Sequence, residues 1–472
     1  MDFRRERVTD LAAEVRGGKV TARELVGHAL ERIEALNADV NAFVAVDADR
    51  AVDAARRVDD AVAAGEDPGP LAGIPIGVKD LEHCAGYVTT HGSAVFARDA
   101  PSTVDSPLVT RLKAAGCIVV GKTNTPELGW KADTDNATFG ATRNPWNLDH
   151  SPGGSSGGAA AAVASGMVPL ATGSDGGGSI RIPSSCCGLT GMKPSLGRVP
   201  SGGASAPDWL DLSSKGVLGV RMEDVVAALE IAVGPDPSDL RSLPRPEASW
   251  TAALDEARLP VKVAWSPTLG YAPIDDEVRA LCERALQRLD GLGVEVVEVD
   301  SVFDEDPVSQ WLTMAIAYNL RTLAPFRGTD VWEEVDPVLA AQVDWAADNL
   351  DALALVKAHD ECYRLNLRLV ELFHDVRLLV TPTCAGPPPP RSLDGQGLIN
   401  GEVDANWVRF TYPFNMTRSP AASVCVGLTE AGLPVGMQLV GPQHADLVVI
   451  RSAAALEAAV GFDAVAPIDA GR

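Results

Sequence analysis

Residues Gly153–Arg198 read GGSSGGAAAAVASGMVPLATGSDGGGSIRIPSSCCGLTGMKPSLGR. Two serines, Ser155 and Ser179, each sit among glycines, with an alanine-rich segment between them. Residues 159–164 combine high helix propensity with almost no side-chain bulk, which predicts a helix pressed against a neighbour. Residues 168–172 then predict a short buried strand. That strand runs into Gly173-Ser174-Asp175-Gly176-Gly177-Gly178-Ser179, a loop in which successive backbone N–H groups can converge on one point. A serine beside converging amides is what acyl transfer requires, a nucleophile and an oxyanion hole. The interleaved Ala, Val, Ile and Pro argue against a solvated Gly/Ser linker. Neither phosphate-loop spacing of glycines occurs between 153 and 198, which argues against a nucleotide cradle.

Such a serine needs a base. The histidines are His28, His83, His91, His150, His359, His374 and His444, and none sits in a nucleophile–base motif. Lys79 is the candidate instead, because it ends the apolar segment 74–78, expected to be a buried strand. A lysine at its ordinary pKa of about 10.4 is charged and cannot accept a proton. Desolvation in an apolar, glycine-lined site would lower that value toward the range where base catalysis is efficient. The residues alone leave this reading level with a bland one, a buried Lys79 paired with Asp80 or Asp175.

The 153–198 block resembles the signature of the amidase signature family, a GGSSGG element followed by GSD-x-GGSIR. The likeness extends to Gly73-Ile74-Pro75-Ile76-Gly77-Val78-Lys79-Asp80, to residues 121–127 and 144–147, and to Gly432-Leu433-Pro434-Val435-Gly436-Met437-Gln438, so it covers essentially the whole chain. The resemblance implies a Ser-Ser-Lys triad: Ser179 the nucleophile, Ser155 the proton relay, Lys79 the base and later the acid. It implies an oxyanion hole from the amides of Gly176, Gly177, Gly178 and Ser179, and a cis peptide bond before the relay serine. Chemistry does not choose between Ser155 and Ser156 as relay; the family spacing selects Ser155. Asp175 and Arg181 flank the nucleophile and are expected to stiffen the loop. Ser174 and Thr172 are expected to add hydrogen bonds to Lys79.

Other motifs are set aside. Residues 116–123, GCIVVGKT, satisfy the Walker A pattern, yet a helix is expected at 111–115 and a strand between the glycines, with Lys122 opening a loop; a phosphate cradle needs the reverse order. Asn136-Ala137-Thr138 and Asn415-Met416-Thr417 match a glycosylation acceptor without a secretory segment, and Pro387–Pro390 reads as a stiff loop.

The 472 residues are 46% apolar, ample for a large core, and carry a net charge of −24, which disfavours nucleic acid and anionic membranes as partners. None of the eight cysteines lies in a C-x-x-C pair, so reduced core residues, no zinc site and no cofactor are expected. Residues 1–19 are charged, and 159–171 are too short and weakly apolar to span a bilayer, so a cytoplasmic monomer or homodimer is expected.

Helices are predicted at 8–15, 22–36 with a Thr21 N-cap, 51–63 and 276–289, and through most of 311–373. Strands at 74–78, 118–120, 261–264, 294–297 and 378–381 alternate with them. The layout is α/β, a large central mixed twisted sheet with helices on both faces. One domain over residues 1–472 is expected, with its catalytic core near 65–220, a helical substrate-side region near 301–375, and a surface passage at 234–249.

The resemblance implies an amide-cleaving enzyme acting on amides, anilides, oligoamides, peptide amides or carbamates. Trp130, Trp209, Trp311, Tyr318, Trp407, Tyr412 and Phe414 are candidate pocket aromatics, favouring an aryl or hydrophobic amide, anilide or urethane. Two alternatives stand beside this reading. One is the glutaminase component of a tRNA-dependent glutamine amidotransferase complex, from whose usual Lys-Asp-Asn and Asn-Leu-Ala-Gly-Leu-Pro the chain departs at Leu81 and at 415–420. The other is a catalytically silent binding protein, disfavoured because all three expected catalytic side chains are present.

Overall fold

A computed structural model describes residues 1–469 apart from 204, 205, 208 and 210. Thirteen strands occur among the described residues. They are β1 Phe43–Val46, β2 Pro75–Lys79, β3 Ile118–Thr123, β4 Leu170–Asp175, β5 Thr190–Lys193, β6 Ser214–Gly219 and β7 Lys262–Trp265. The rest are β8 Glu295–Glu298, β9 Leu379–Pro382, β10 Gly397–Ile399, β11 Glu402–Asp404, β12 Ala421–Leu428 and β13 Pro434–Val440. Eleven form one sheet in the order β1-β3-β2-β4-β6-β5-β12-β13-β9-β7-β8, and β10 and β11 form a separate hairpin. The sheet is mixed: β2 runs parallel to β3 and β4, β7 parallel to β8 and β9, and the remaining pairs are antiparallel.

Two sets of helices pack on this sheet. Helices Gly157–Ala164 and Arg181–Cys187 touch one another and β4, β5, β12 and β13. Helices Met222–Ala232 and Asp276–Asp290 both pack on Asp446–Val460, against β6 and β12. Helix 157–164 is buried on every side, as its alanines predict, because only such small side chains permit close approach all round. Thr21 caps helix Ala22–Val40 in a reciprocal box with Glu24.

The parallel pairing of β2 with β4 places the site. Ile76 lies opposite Leu170 and Gly77 opposite Ala171, so the carboxyl ends of both strands emerge side by side. Lys79 closes β2 and Asp175 closes β4. Ligand sites in α/β sheets favour such strand ends. The predicted 311–373 stretch resolves into helices Val308–Leu323, Pro337–Asn349 and Ala352–Asp375, the first two separated by two short 3-10 turns and the last two by Leu350 and Asp351, with Asp336 and Asp351 as caps. The first and third contribute to a second apolar cluster, around Phe303, Met314, Leu365, Phe410 and Phe414, separate from the main core, while the middle one packs Leu339 and Val343 with Leu128 and Leu323 in another.

One expectation is corrected. Lys122 does not open a loop but lies inside β3, where Nζ is buried 3.0 Å from Asp80 Oδ1 and donates to the Glu82 carbonyl at 2.8 Å. The Walker-like residues are thus a sheet strand with its lysine neutralised internally.

Candidate active site

Lys79 is fully buried, and its Nζ meets three hydroxyls: Ser155 Oγ at 2.7 Å, Ser156 Oγ at 2.8 Å and Ser174 Oγ at 3.1 Å. Thr172, also expected to support it, accepts instead from the Lys79 backbone N–H at 2.9 Å. The carboxylates that could have neutralised Lys79 are engaged elsewhere, Asp80 with Lys122 and Asp175 with Arg181. Nearby, Lys215 pairs with the buried Glu82. Burial, and then the charge of Lys215, hold the Lys79 amine well below the usual lysine range. A neutral amine has two N–H donors and one lone pair, which three hydroxyl contacts satisfy. Burial also lowers Lys193 to about 7, but its Nζ donates to the Pro194 carbonyl and reaches none of these serines.

The loop after β4 is held by one buried ion pair. Arg181 donates to both Asp175 oxygens, Nε to Oδ2 at 2.9 Å and Nη2 to Oδ1 at 2.8 Å. Its remaining N–H groups reach the Thr411 carbonyl at 2.9 Å, Gln438 Oε1 at 2.6 Å and Asn415 Oδ1 at 2.6 Å. Burial alone would raise the Asp175 carboxyl, but the guanidinium overrides it and holds the group far below the carboxylate range. Asp175 also captures amides of its own loop, accepting from the N–H of Gly178 at 2.8 Å and of Ile180 at 3.2 Å. The Gly178 amide is therefore withdrawn from the expected oxyanion hole. Short Asp side chains bind backbone N–H groups a few residues on, and here that geometry wins. The N–H groups of Gly176, Gly177 and Ser179 have no partner among the described residues.

Three successive carbonyls on this loop are pinned from outside. Asn415 Nδ2 donates to the Asp175 carbonyl at 2.6 Å, Trp311 Nε1 to that of Gly176 at 3.0 Å, and Thr411 Oγ1 to that of Gly177 at 2.6 Å. Fixing a carbonyl fixes the peptide plane and so aims the following N–H. A side chain at Gly177 would run into the Trp311 indole, and Gly178 has φ +129°, so neither position accommodates another residue without rearrangement.

The Gly154–Ser155 peptide is cis, as the resemblance implied. The Ser156 N–H donates to the Ser179 carbonyl at 3.2 Å, tying the two serine elements together. Ser155 and Ser179 both line a hollow of about 20 Å³ with Ser174, Ser213 and Lys215, whereas Ser156 is shut in behind. On its other side Ser179 faces a cavity of about 400 Å³ whose walls include Trp130, Trp209, Trp311, Trp407 and Tyr412. Trp311 stacks on Tyr412 with ring centres 5.3 Å apart. Tyr318 and Phe414 do not line it: the Tyr318 hydroxyl accepts from the Asp211 N–H, and Phe414 packs on Phe303 in the core. A roomier cavity of about 580 Å³ near Arg221 and Glu457 touches none of these residues, so size alone does not locate the chemistry.

Sequence patterns assign no role to Thr411, Asn415 or Gln438. Each lies 230 or more residues from Arg181 along the chain, beyond the reach of any local pattern. Among the described residues no group of three His, Cys, Asp or Glu side chains could hold a metal ion. No helix among them is long and apolar enough to cross a membrane.

Known proteins of similar sequence and structure identify the family. The Amidase family model matches residues 24–450. An acylamidase of Rhodococcus erythropolis is 36% identical over 463 residues, covering 95% of this chain and 94% of its own length. A glutamyl-tRNA(Gln) amidotransferase component of Synechococcus sp. (strain CC9605) is 34% identical over 466 residues, covering 93% of this chain and 94% of its own length. The crystal structure of a bacterial aryl acylamidase of the amidase signature family superposes with a TM-score of 0.91 at 31% identity, covering 99% of each chain. The chain belongs to the amidase signature family and is an amide-hydrolysing enzyme.

Proposed function

We propose that the enzyme hydrolyses aryl or hydrophobic carboxylic amides, anilides or carbamates through an acyl-enzyme on Ser179. Ser179 Oγ attacks the carbonyl while its proton passes through Ser155 Oγ to the neutral Lys79 amine. The tetrahedral oxyanion is held by the N–H groups of Gly176, Gly177 and Ser179. Lys79 then returns the proton through Ser155 to the departing amine. Water, deprotonated along the same path, releases the acid and restores Ser179. The observation that carries this reading is the Lys79 amine, buried among serine hydroxyls without a carboxylate and beside the hollow shared by Ser155 and Ser179. The aromatic cavity supports a bulky apolar substrate over a small polar one.

A second reading, the glutaminase component of an amidotransferase, rests on the 34% identity to that protein. The purified chain is assayed alone for amine released from anilides, aliphatic amides, dipeptide amides, carbamates and glutamine. Turnover of anilides or carbamates supports the hydrolase; glutamine cleavage that appears only with added partner proteins replaces it. We further place the chain as one catalytic domain over residues 1–472, working in the cytoplasm without nucleic acid. Its eight free cysteines and net charge of −24 support that placement.

A further inference from the structure

Helix Ala352–Asp375 is apolar on two opposite faces. The inner one, with Ala358, Leu365 and Leu369 buried, packs toward helix 308–323. The outer one is open to solvent: Leu353 is 59% exposed, Val356 54%, Tyr363 72%, Leu367 61% and Val370 47%. A helix with two apolar faces needs two covers, and scattered exposed apolar residues would not fall on one line.

The outer positions are 353, 356, 360, 363, 367 and 370, alternating three and four residues apart like the seam of a coiled coil. That series reads the same from either end. We propose that this face pairs antiparallel with the same helix of a second copy, about a two-fold axis crossing between residues 361 and 362. A two-fold interface requires that if residue i meets j, then j meets i. In this register Leu353 meets the partner's Val370, Val356 meets the partner's Leu367, and Asp360 meets the partner's Tyr363. The single polar seam residue thereby faces a phenol able to donate to its carboxylate. On the flank, exposed Lys357 lies diagonally across from the partner's exposed Glu371, five residues beyond the position directly facing it, an attraction between two long side chains made twice; within its own helix Glu371 also holds Arg368 at 3.1 Å. Arg364 meets its own copy near the axis, but it is already paired with Glu361 at 2.7 Å and Asp304 at 3.1 Å. The alternative cover, a membrane surface, is disfavoured by the net charge of −24.

Sedimentation velocity tests the pairing. At roughly 50 µM the full chain should run at twice its 49.4 kDa mass, and Leu367→Glu should run as a monomer with circular dichroism unchanged. Lys357→Glu should weaken the dimer about tenfold, with Lys357→Glu/Glu371→Lys restoring it. Leu353→Cys/Val370→Cys, a directly facing seam pair, should give a disulfide-linked dimer on a non-reducing gel while neither single variant does. Residues 353 and 370 lie about 25 Å apart within one helix, so the bond cannot form internally. A wild type that stays monomeric overturns the proposal, as does a dimer indifferent to Leu367→Glu. So does flotation with anionic phosphatidylglycerol vesicles that Leu367→Glu abolishes while the chain alone remains monomeric.

Discussion

The loop at 173–181 and the helices between 308 and 375 meet at the cavity beside Ser179, and they are held together in opposite ways. The loop is almost wholly buried, and polar contacts fix it: Asp175, Arg181, Asn415 and Gln438 bind one another and the surrounding backbone. The helices are held by apolar contact on one side, and their ion pairs lie in water, as with Arg327 and Asp344. The loop tolerates little because its buried ion pair and three of its carbonyls have fixed partners. The helices can change shape without exposing an unpaired charge, which suits the substrate-selecting role proposed for them.

The harshest way to break the comparison is at the loop itself. Ser179→Ala should lower kcat by about 10⁴-fold or more with the thermal melt unchanged. Residual turnover within a factor of about ten of wild type would mean another nucleophile operates. Arg181→Met should cost about 3–5 kcal/mol in urea denaturation, since it leaves Asp175 charged, buried and unpaired. Arg327→Met, among the helices, should cost under about 1 kcal/mol, because its partner stays solvated. Equal costs would erase the distinction between the two regions.

The pH profile comes next. As the proposed base Lys79 would act only when neutral, and burial depresses its pKa, so activity should be full above that depressed value and fall about tenfold per pH unit below it. A rate that stays flat down to the pH at which the chain unfolds would contradict Lys79 as the base. Trp311→Phe keeps an aromatic wall but removes the N–H that fixes the Gly176 carbonyl, and kcat should drop about tenfold with KM little changed. The smallest effect belongs to Leu312→Ala, which lines the same cavity and touches no loop carbonyl; KM for bulky anilides should rise a few-fold at constant kcat. If Trp311→Phe moves KM instead, the indole serves only as wall.

The strand–helix–loop order around Ser155 and Ser179 was legible in sequence because local propensity and burial agree there, and β4 extends only three residues past its expected end. The apolar segment it ends pointed to Lys79, the family pattern weighted it toward catalysis and implied the cis peptide, and Lys79 indeed lies beside the strand that carries the loop. Contacts from far along the chain were not legible. Nothing near Thr411 or Asn415 announces an arginine more than 200 residues earlier, and Tyr318 and Phe414 resemble pocket aromatics until the backbone turns them toward other partners. The Gly178 amide was misassigned for a local reason: Asp175 sits three residues before it, the spacing at which a carboxylate takes such an N–H.

Trp311 does two jobs, wall of the aromatic cavity proposed to take the substrate and clamp on the Gly176 carbonyl. A lineage adapting to new amides, or a laboratory selecting for them, thus inherits a pocket with one rigid wall and one adjustable wall. Changes at Leu312, Ile316 or Gln342 can reshape the space freely, whereas every change at Trp311 also taxes the rate. Gains in specificity should therefore accumulate around that indole and leave it in place.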